Sequence, residues 1–253
     1  MIGRIYLVGA GPGDPELLTL KALRLLRAAD VVLHDELVSP AILQLARLNA
    51  HVRNVGKRCG VKSICQEEIN ALLVDYASAG RVVVRLKGGD PMIFGRADEE
   101  IAALRTAGIQ FEVVPGVTAA LGAAAAAQVP LTQRDLSPAV IFITYHRAAN
   151  QPAIDWRSVA ASGATIVLYM PGRDHGRVSR DLSSAGLDGQ TPCVIVSRAT
   201  TLHETLLATT LAQLPAVSPL PAPALLIIDA AGHFAAIRSQ DPEAAKVFAG
   251  HSL

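Results

Sequence analysis

The sequence predicts an α/β protein of two domains, the first of which is built on a mostly parallel sheet. Three observations predict this class. Short apolar runs alternate with segments of helical periodicity over residues 1–115. Glycine-rich turns follow two of those runs, at residues 9–14 and 87–91. Of the 253 residues, 51% are hydrophobic and only 18% are charged, which is typical of a compact globular chain.

The predicted elements of the first domain alternate between strand and helix. Strands are expected at 5–8, 29–33, 51–55, 81–86 and 111–114. Helices are expected from leucines that recur over 17–26, from Ser39 as the cap before Pro40, and at 66–79 and 99–106. Strands separated by helices favour a parallel sheet that is covered on both faces.

A hinge is expected at Pro115 and Gly116, so the domains are predicted as residues 1–115 and 116–253. Beyond the hinge, a mixed sheet is expected from strands at 139–145, 164–170, 193–197 and 224–229, with an extended stretch near 204–211. Residues 214–223 carry four prolines and predict a loop. The alanine-rich segment 119–129 is too short to span a bilayer and is expected to be a buried helix.

Composition and charge argue against several classes of function. The net charge of +1 gives no support to binding of nucleic acid or of a membrane surface. The three cysteines lack metal-ligand spacing, and no histidine pair has zinc spacing, so no metal site is expected. No targeting segment is visible, and we expect a cytoplasmic protein.

Polar and glycine-rich clusters follow three of the predicted strands, at 9–14, 34–39 and 87–91. Ligands of open α/β sheets bind beyond the carboxyl ends of the strands. The first turn departs from the dinucleotide fingerprint, because Asp14 occupies the place of the third glycine and would repel a pyrophosphate. Pro12 also removes a backbone donor. The turns therefore suit a cationic ligand better than a phosphate.

Ordered motifs extend over nearly the whole chain and weaken after about Asp229. They are VGAGPGDPELLTLKA at 8–22, DELVS at 35–39, VGKR at 55–58, QEEIN at 66–70, VRLKGGDP at 84–91, IFGR at 93–96 and VVPGVTAA at 113–120. Together these motifs resemble the uroporphyrinogen-III C-methyltransferase branch of the tetrapyrrole methylase family. The resemblance implies the two-domain tetrapyrrole methylase fold, usually a homodimer, with S-adenosylmethionine in the interdomain cleft and S-adenosylhomocysteine as a product.

The resemblance also implies roles for individual residues. Asp35 matches the family's proton acceptor and Lys57 its proton donor, although Asp35 could instead cap a turn and Lys57 could be a solvated loop residue. The positions implied for the cofactor are Pro12, Gly88, Gly89, Asp90, Ile93, Thr118, Ala119, Met170 and Ala199. The substrate carries eight carboxylates, which arginine side chains could bind. The candidates are Arg58, Arg85, Arg96 and Arg134. Each of them could instead be a surface or structural residue.

The implied reaction is methylation of uroporphyrinogen III at two pyrrole carbons, which gives precorrin-2 for sirohaem or cobalamin synthesis. The chain departs from the usual family pattern at His34, Lys62, Ala97-Asp98, Gln133, Tyr145, Pro171 and Ser197-Arg198. Two alternatives therefore stay open: a paralogous methylase that acts on another precorrin, and a non-catalytic tetrapyrrole-binding protein of the same family.

Overall fold

The computed structural model describes residues 3–56, 64–145 and 153–229. The chain forms two compact units, residues 1–119 and 120–253, which divide four residues after the boundary expected from the sequence. Within the described ranges, none of the helices is long and apolar enough to cross a membrane.

The first unit is built on a parallel five-stranded sheet. Its strands are β1 (Arg4–Gly9), β2 (Val31–His34), β3 (His51–Asn54), β4 (Val82–Lys87) and β5 (Phe111–Val114). They lie in the order β3-β2-β4-β1-β5, and every neighbouring pair is parallel. Its helices are α1 (Leu20–Ala28), α2 (Pro40–Leu43), α3 (Gln66–Ser78) and α4 (Ala97–Thr106), with a 3-10 turn at Pro15–Leu17.

Both faces of this sheet are covered, as expected for parallel strands. Alternate residues of β1 point to opposite faces, so Ile5 packs with residues of α3 and α4 while Val8 packs with residues of α1. Leu26 of α1 and Leu73 of α3 are completely buried in these two clusters. The sheet is therefore packed on both faces and anchors the loops that follow its strands.

The predicted start of α2 is confirmed, because Ser39 is its N-cap residue and Pro40 lies in its first turn. The Ser39 side chain, however, makes no capping hydrogen bond to that helix. Its hydroxyl instead donates to the carbonyl of Gly13 at 2.9 Å. The loop after β2 is in this way tied to the glycine-rich turn after β1.

The second unit contains a mixed five-stranded sheet. Its strands are β6 (Val140–Thr144), β7 (Thr165–Tyr169), β8 (Pro192–Ser197), β9 (Thr205–Thr210) and β10 (Ala224–Asp229). They lie in the order β6-β7-β10-β8-β9, and β6 and β7 form the parallel pair, while the other neighbours are antiparallel. The helices are α5 (Ala119–Ala126), which begins at the last residue of the first unit, α6 (Trp156–Ala161) and α7 (His175–Ser184), with a 3-10 turn at Leu214–Ala216.

Candidate active site

The two glycine-rich turns of the first unit are joined to each other. They follow β1 and β4, which are neighbours in the sheet. The Gly11 N–H donates to the Gly89 carbonyl at 3.1 Å, and the Gly89 N–H donates to the Gly11 carbonyl at 2.8 Å. Both glycines have positive φ, +72° and +66°, which side chains disfavour. The predicted convergence of the turns is thus a direct backbone contact.

A third loop, after β5, packs against these turns through glycine. A Cβ added to Gly9 would lie 2.6 Å from the Gly116 Cα and 2.7 Å from the Gly89 carbonyl oxygen. Carbon atoms in ordinary contact are about 3.5–4.0 Å apart. The three loops therefore meet backbone to backbone, and side chains are excluded from the junction.

The acidic residues of the turns hold the loops in place. The Asp90 carboxylate accepts the Met92 N–H at 2.8 Å and the Gly116 N–H at 3.0 Å, so it links the loop after β4 to the loop after β5. The Asp14 carboxylate accepts the Glu16 N–H at 2.8 Å and caps the first 3-10 turn. The junction carries carboxylates where a phosphate-binding turn presents free backbone donors.

Other residues expected at the cofactor surround the same junction. Ile93 donates its N–H to the Asp90 carbonyl at 3.3 Å. A Cβ built on Gly89 would lie 3.7 Å from the Thr118 Cα and 3.4 Å from the Ala119 N, so this backbone packs on the turn. Thr118 is buried. Pro12 and Gly88 are half-buried within the turns themselves.

Two expected cofactor positions lie in the second unit, and each follows a strand. Met170 comes directly after β7 in a left-handed conformation, φ +51°, with 47% of its surface exposed. Ala199 follows β8 and is buried, between Arg198 and Thr200, which both have positive φ. Such φ values are uncommon for residues other than glycine. The roles of Met170 and Ala199 toward a cofactor stay predictions.

A cavity of about 190 Å³ opens at the carboxyl edge of the first sheet, on the face covered by α3 and α4. Asp35 follows β2 and lies in the wall of this cavity, with its side chain 30% exposed. Its carboxylate is paired with the guanidinium of Arg85. Arg85 also lines the cavity, and the other residues of the wall are Val55, Gly56, Ile64, Gln66, Ile69, Lys87, Phe94, Gly95 and Arg96.

Arg85 does not have the environment expected of a substrate-binding arginine. It is 2% exposed. Its Nε donates to Glu100 at 2.8 Å, Nη1 donates to the carbonyls of Leu33 at 3.4 Å and Leu86 at 3.3 Å, and Nη2 donates to Asp35. Burial lowers the pKa of Arg85, but the charges of Asp35 and Glu100 outweigh this and raise it. Arg85 is consequently a charged internal support for Asp35.

Glu100 of α4 pairs with both Arg85 and Lys87, and it is not among the functional residues expected from the sequence. It is completely buried, and both of its carboxylate oxygens accept from the Lys87 Nζ at 3.0 Å. Burial, followed by the nearby charge of Arg85, lowers the pKa of Lys87. The signal in the sequence was present: Arg85 and Lys87 alternate with apolar residues in β4, so both point to one face and require counter-charges there.

The remaining predicted residues are placed as follows. Arg96 lines the cavity in a left-handed conformation, and its Nε and Nη2 donate to Glu99 at 2.6 and 2.8 Å. Arg134 lies in an exposed turn between β-bridge partners at 133 and 137. Lys57 and Arg58 lie outside the described residues. Within the ranges that the structure describes, no three histidine, cysteine or acidic side chains come together as a metal site.

Two departures from the family pattern have structural roles. His34 is buried, and its Nδ1 donates to the Asp35 carbonyl at 2.9 Å, so it braces the residue next to it. The Tyr145 hydroxyl donates to Asp181 at 2.8 Å. Burial, with this hydrogen bond, raises the pKa of Tyr145, so the phenol is neutral at physiological pH.

Comparison with known protein families gives the class of this protein. The chain matches the family described as tetrapyrrole (corrin/porphyrin) methylases over residues 4–215. Because this match covers most of the chain, the chain belongs to that family. The family and the fold expected from the sequence are thereby confirmed.

The chain is similar to siroheme synthases in sequence and to a uroporphyrin III C-methyl transferase in structure. The chain is 47% identical over 240 residues to siroheme synthase 2 of Aeromonas hydrophila, covering 94% of this chain and 50% of that protein. The chain thus spans about half the length of the curated relatives it matches. The native uroporphyrin III C-methyl transferase of Thermus thermophilus is 40% identical, with a TM-score of 0.79, over 93% of this chain and 100% of that chain.

Two further solved structures are similar to this chain, and one of them contains a bound ligand. The Thermus thermophilus enzyme complexed with S-adenyl homocysteine is 41% identical with a TM-score of 0.77, again over 93% of this chain and 100% of that chain. A cobalt precorrin-4 methyltransferase of cobalamin biosynthesis is 32% identical with a TM-score of 0.79, over 90% of this chain and 95% of that chain.

Proposed function

We propose that the chain transfers methyl groups from S-adenosylmethionine to two pyrrole carbons of uroporphyrinogen III, giving precorrin-2 for siroheme or cobalamin synthesis. The observation that carries the proposal is the placement of Asp35 in a cavity wall at the same sheet edge as the joined glycine turns. The likeness to the Thermus thermophilus enzyme over its full length supports this substrate.

The residues of the glycine junction fit a sulfonium cofactor. Pro12 offers no N–H, and Asp14 and Asp90 place negative charge beside turns that side chains do not obstruct. A cation tolerates such carboxylates, whereas a phosphate is repelled by them. Gly88, Gly89 and Asp90 would hold the cofactor, with Thr118 and Ala119 beside them. When bound, S-adenosylmethionine supplies an electrophilic methyl group, so the protein needs no nucleophile of its own.

Asp35 acts as the base in this proposal. When a pyrrole carbon forms its bond to the methyl group, the sulfur–methyl bond breaks and the sulfur keeps the electron pair. The methylated ring system then loses a proton, which the Asp35 carboxylate accepts. A positioned base of this kind contributes about 10²- to 10⁴-fold to rate. The pairing with Arg85 holds the carboxylate at the cavity wall.

Cationic side chains are proposed to bind the substrate carboxylates. Arg96 fits this role best among the described candidates, because it lines the cavity and is half-exposed. Arg58 and Arg134 are proposed because the substrate carries eight carboxylates, and Lys57 is proposed as proton donor on the family resemblance. Arg85 also lines the cavity, but it is 2% exposed and paired with Asp35 and Glu100, so we propose it as a support for Asp35 and not as a ligand for the substrate.

The test is anaerobic incubation of the purified chain with methyl-labelled S-adenosylmethionine and uroporphyrinogen III, followed by mass spectrometry of the tetrapyrrole. We expect a product with two added methyl groups. Asp35→Asn should reduce turnover by about 100-fold or more while the dissociation constant for S-adenosylhomocysteine stays the same. A loss of cofactor binding in that variant would remove Asp35 from the role of base.

A second candidate is methylation of another precorrin. It is favoured by the TM-score of the cobalt precorrin-4 methyltransferase, which equals that of the native Thermus thermophilus enzyme. Transfer of label to a later precorrin, but not to uroporphyrinogen III, would select this candidate. Binding of both ligands without label transfer would instead select the non-catalytic tetrapyrrole-binding alternative.

We also propose that the protein is a cytoplasmic homodimer, on the basis of its family. Size-exclusion chromatography with light scattering measures the assembly directly. The expected mass is twice the 26.5 kDa of the chain. A mass equal to that of one chain would remove the homodimer from the proposal.

A further inference from the structure

Four charged side chains form one continuous group at the wall of the cavity, which three of them line. Asp35 pairs with Arg85, Arg85 pairs with Glu100, and Glu100 pairs with Lys87. The two anions and two cations alternate, so the group is electrically balanced. Of the four, Asp35 is the one with substantial exposure, and it faces the cavity. The other three are almost completely buried.

Stability alone does not account for burying these charges. Desolvation of each ion costs several kcal/mol, and well-packed apolar residues of similar volume are often equally stable in such places. The arrangement does give geometric control. The guanidinium of arginine is planar, with donors in a fixed fork. Once its Nε is held, the direction of its Nη atoms is determined.

We propose that Glu100 is a positioning residue that holds the Arg85 guanidinium against Asp35 and thereby aims the Asp35 carboxylate at the substrate. The inference deepens the proposed function and rests on it, since Asp35 is the base there. The Glu100 carboxylate accepts Arg85 Nε at 2.8 Å, while Nη2 of the same guanidinium donates to Asp35. The carbonyls of Leu33 and Leu86 accept from Nη1 and complete the alignment.

Glu100 is itself held from two sides. Lys87 Nζ donates to both carboxylate oxygens, and Gln66 Nε2 of α3 donates to Oε1 at 3.4 Å. Gln66 Nε2 also donates to Asn70 one helical turn along, at 3.1 Å. The position of Asp35 after β2 is therefore linked to α3 and α4 through Glu100.

The test uses two double variants that remove one positive and one negative charge each. Lys87→Met/Glu100→Gln keeps a carbonyl oxygen that can accept from Arg85 Nε, whereas Lys87→Met/Glu100→Leu removes that acceptor. We expect the Leu variant to have a kcat lower than the Gln variant by on the order of tenfold to a hundredfold, because small misplacements of a catalytic group are costly. The KM and the affinity for S-adenosylhomocysteine should be equal in the two variants.

Two further measurements separate positioning from a structural role. With Asp35→Asn added to both variants, the difference in kcat should disappear, because coupled residues are not additive. Crystal structures should show the Arg85 guanidinium turned away from residue 35 in the Leu variant and in place in the Gln variant. Equal kcat values, or a difference that persists with Asp35→Asn, would overturn the proposal.

The structural readout also separates this inference from the proposed function. If the wild-type chain does not methylate uroporphyrinogen III, the proposed function is wrong. The crystal structures still decide whether Glu100 positions Arg85. An Arg85 guanidinium that stays on Asp35 in the Leu variant would refute the positioning role, whatever the reaction is.

Discussion

Replacement of Gly9 by alanine tests whether the candidate site depends on backbone contact between three loops. The added Cβ would lie 2.6 Å from both the Cα and the N of Gly116 and 2.7 Å from the Gly89 carbonyl oxygen. These neighbours are all backbone, so the loops must separate by about 1 Å to restore ordinary contact distances. Overpacking of a rigid site costs about 1–3 kcal/mol and occasionally more. We expect Gly9→Ala to lower the free energy of unfolding by about 3 kcal/mol.

Gly108→Ala is the matched control in the same unit. No atom lies within 4 Å of its added Cβ, but its φ is +65°. Its cost is therefore conformational, about 1 kcal/mol. Urea denaturation followed by circular dichroism measures both losses, and calorimetric titration measures the affinity for S-adenosylhomocysteine. Gly9→Ala should weaken this affinity at least tenfold, whereas Gly108→Ala should leave it unchanged. Equal stabilities and equal affinities in the two variants would refute the reasoning.

Three other predictions concern groups with definite partners. Asp90→Ala should lower the free energy of unfolding by about 2–4 kcal/mol in urea denaturation, because the N–H groups of Met92 and Gly116 lose a charged acceptor. A loss below about 1 kcal/mol would argue against a role of Asp90 in linking the two loops. Burial and the charge of Arg85 lower the pKa of Lys87 from 10.5, so the unfolded chain binds more protons between that lowered pKa and pH 10.5. The free energy of unfolding of the wild-type chain should therefore rise with pH across this window more than that of Lys87→Met. The same pH dependence in both proteins would contradict the lowered pKa of Lys87. Burial raises the pKa of Cys193 to about 12, so mass spectrometry should find this thiol unmodified by iodoacetamide in the folded protein and modified in urea.

Much of the first unit follows from local patterns. The strands end where glycine-rich turns begin, and strands separated by helices pair in parallel. The convergence of the turns after β1 and β4 was predictable, because carboxyl ends of parallel strands share an edge. Which strands are neighbours was not, since strand order depends on packing among segments far apart in sequence. The antiparallel pairing of β10 with β7 and β8 is likewise a tertiary property.

The charged group at the cavity wall shows why the roles of individual residues are harder to predict than the fold. Glu100 lies in the run Ala97-Asp98-Glu99-Glu100, which resembles the solvated first turn of a helix. Its burial depends on the cations of β4, which no local pattern connects to α4. From the sequence, Arg85 is a candidate for binding the substrate because a cationic side chain suits a carboxylate ligand. Its counter-charges, Asp35 and Glu100, are 50 and 15 residues away and became visible only in three dimensions.

A crystal structure of the chain with S-adenosylhomocysteine tests the central claim most directly. The account predicts that the ligand contacts the turn formed by Gly88, Gly89 and Asp90 and the neighbouring backbone of Thr118. It also predicts that the cavity beside Asp35 stays open to a second ligand. A complex in which the ligand lies away from that turn, or fills the cavity beside Asp35, would contradict the account.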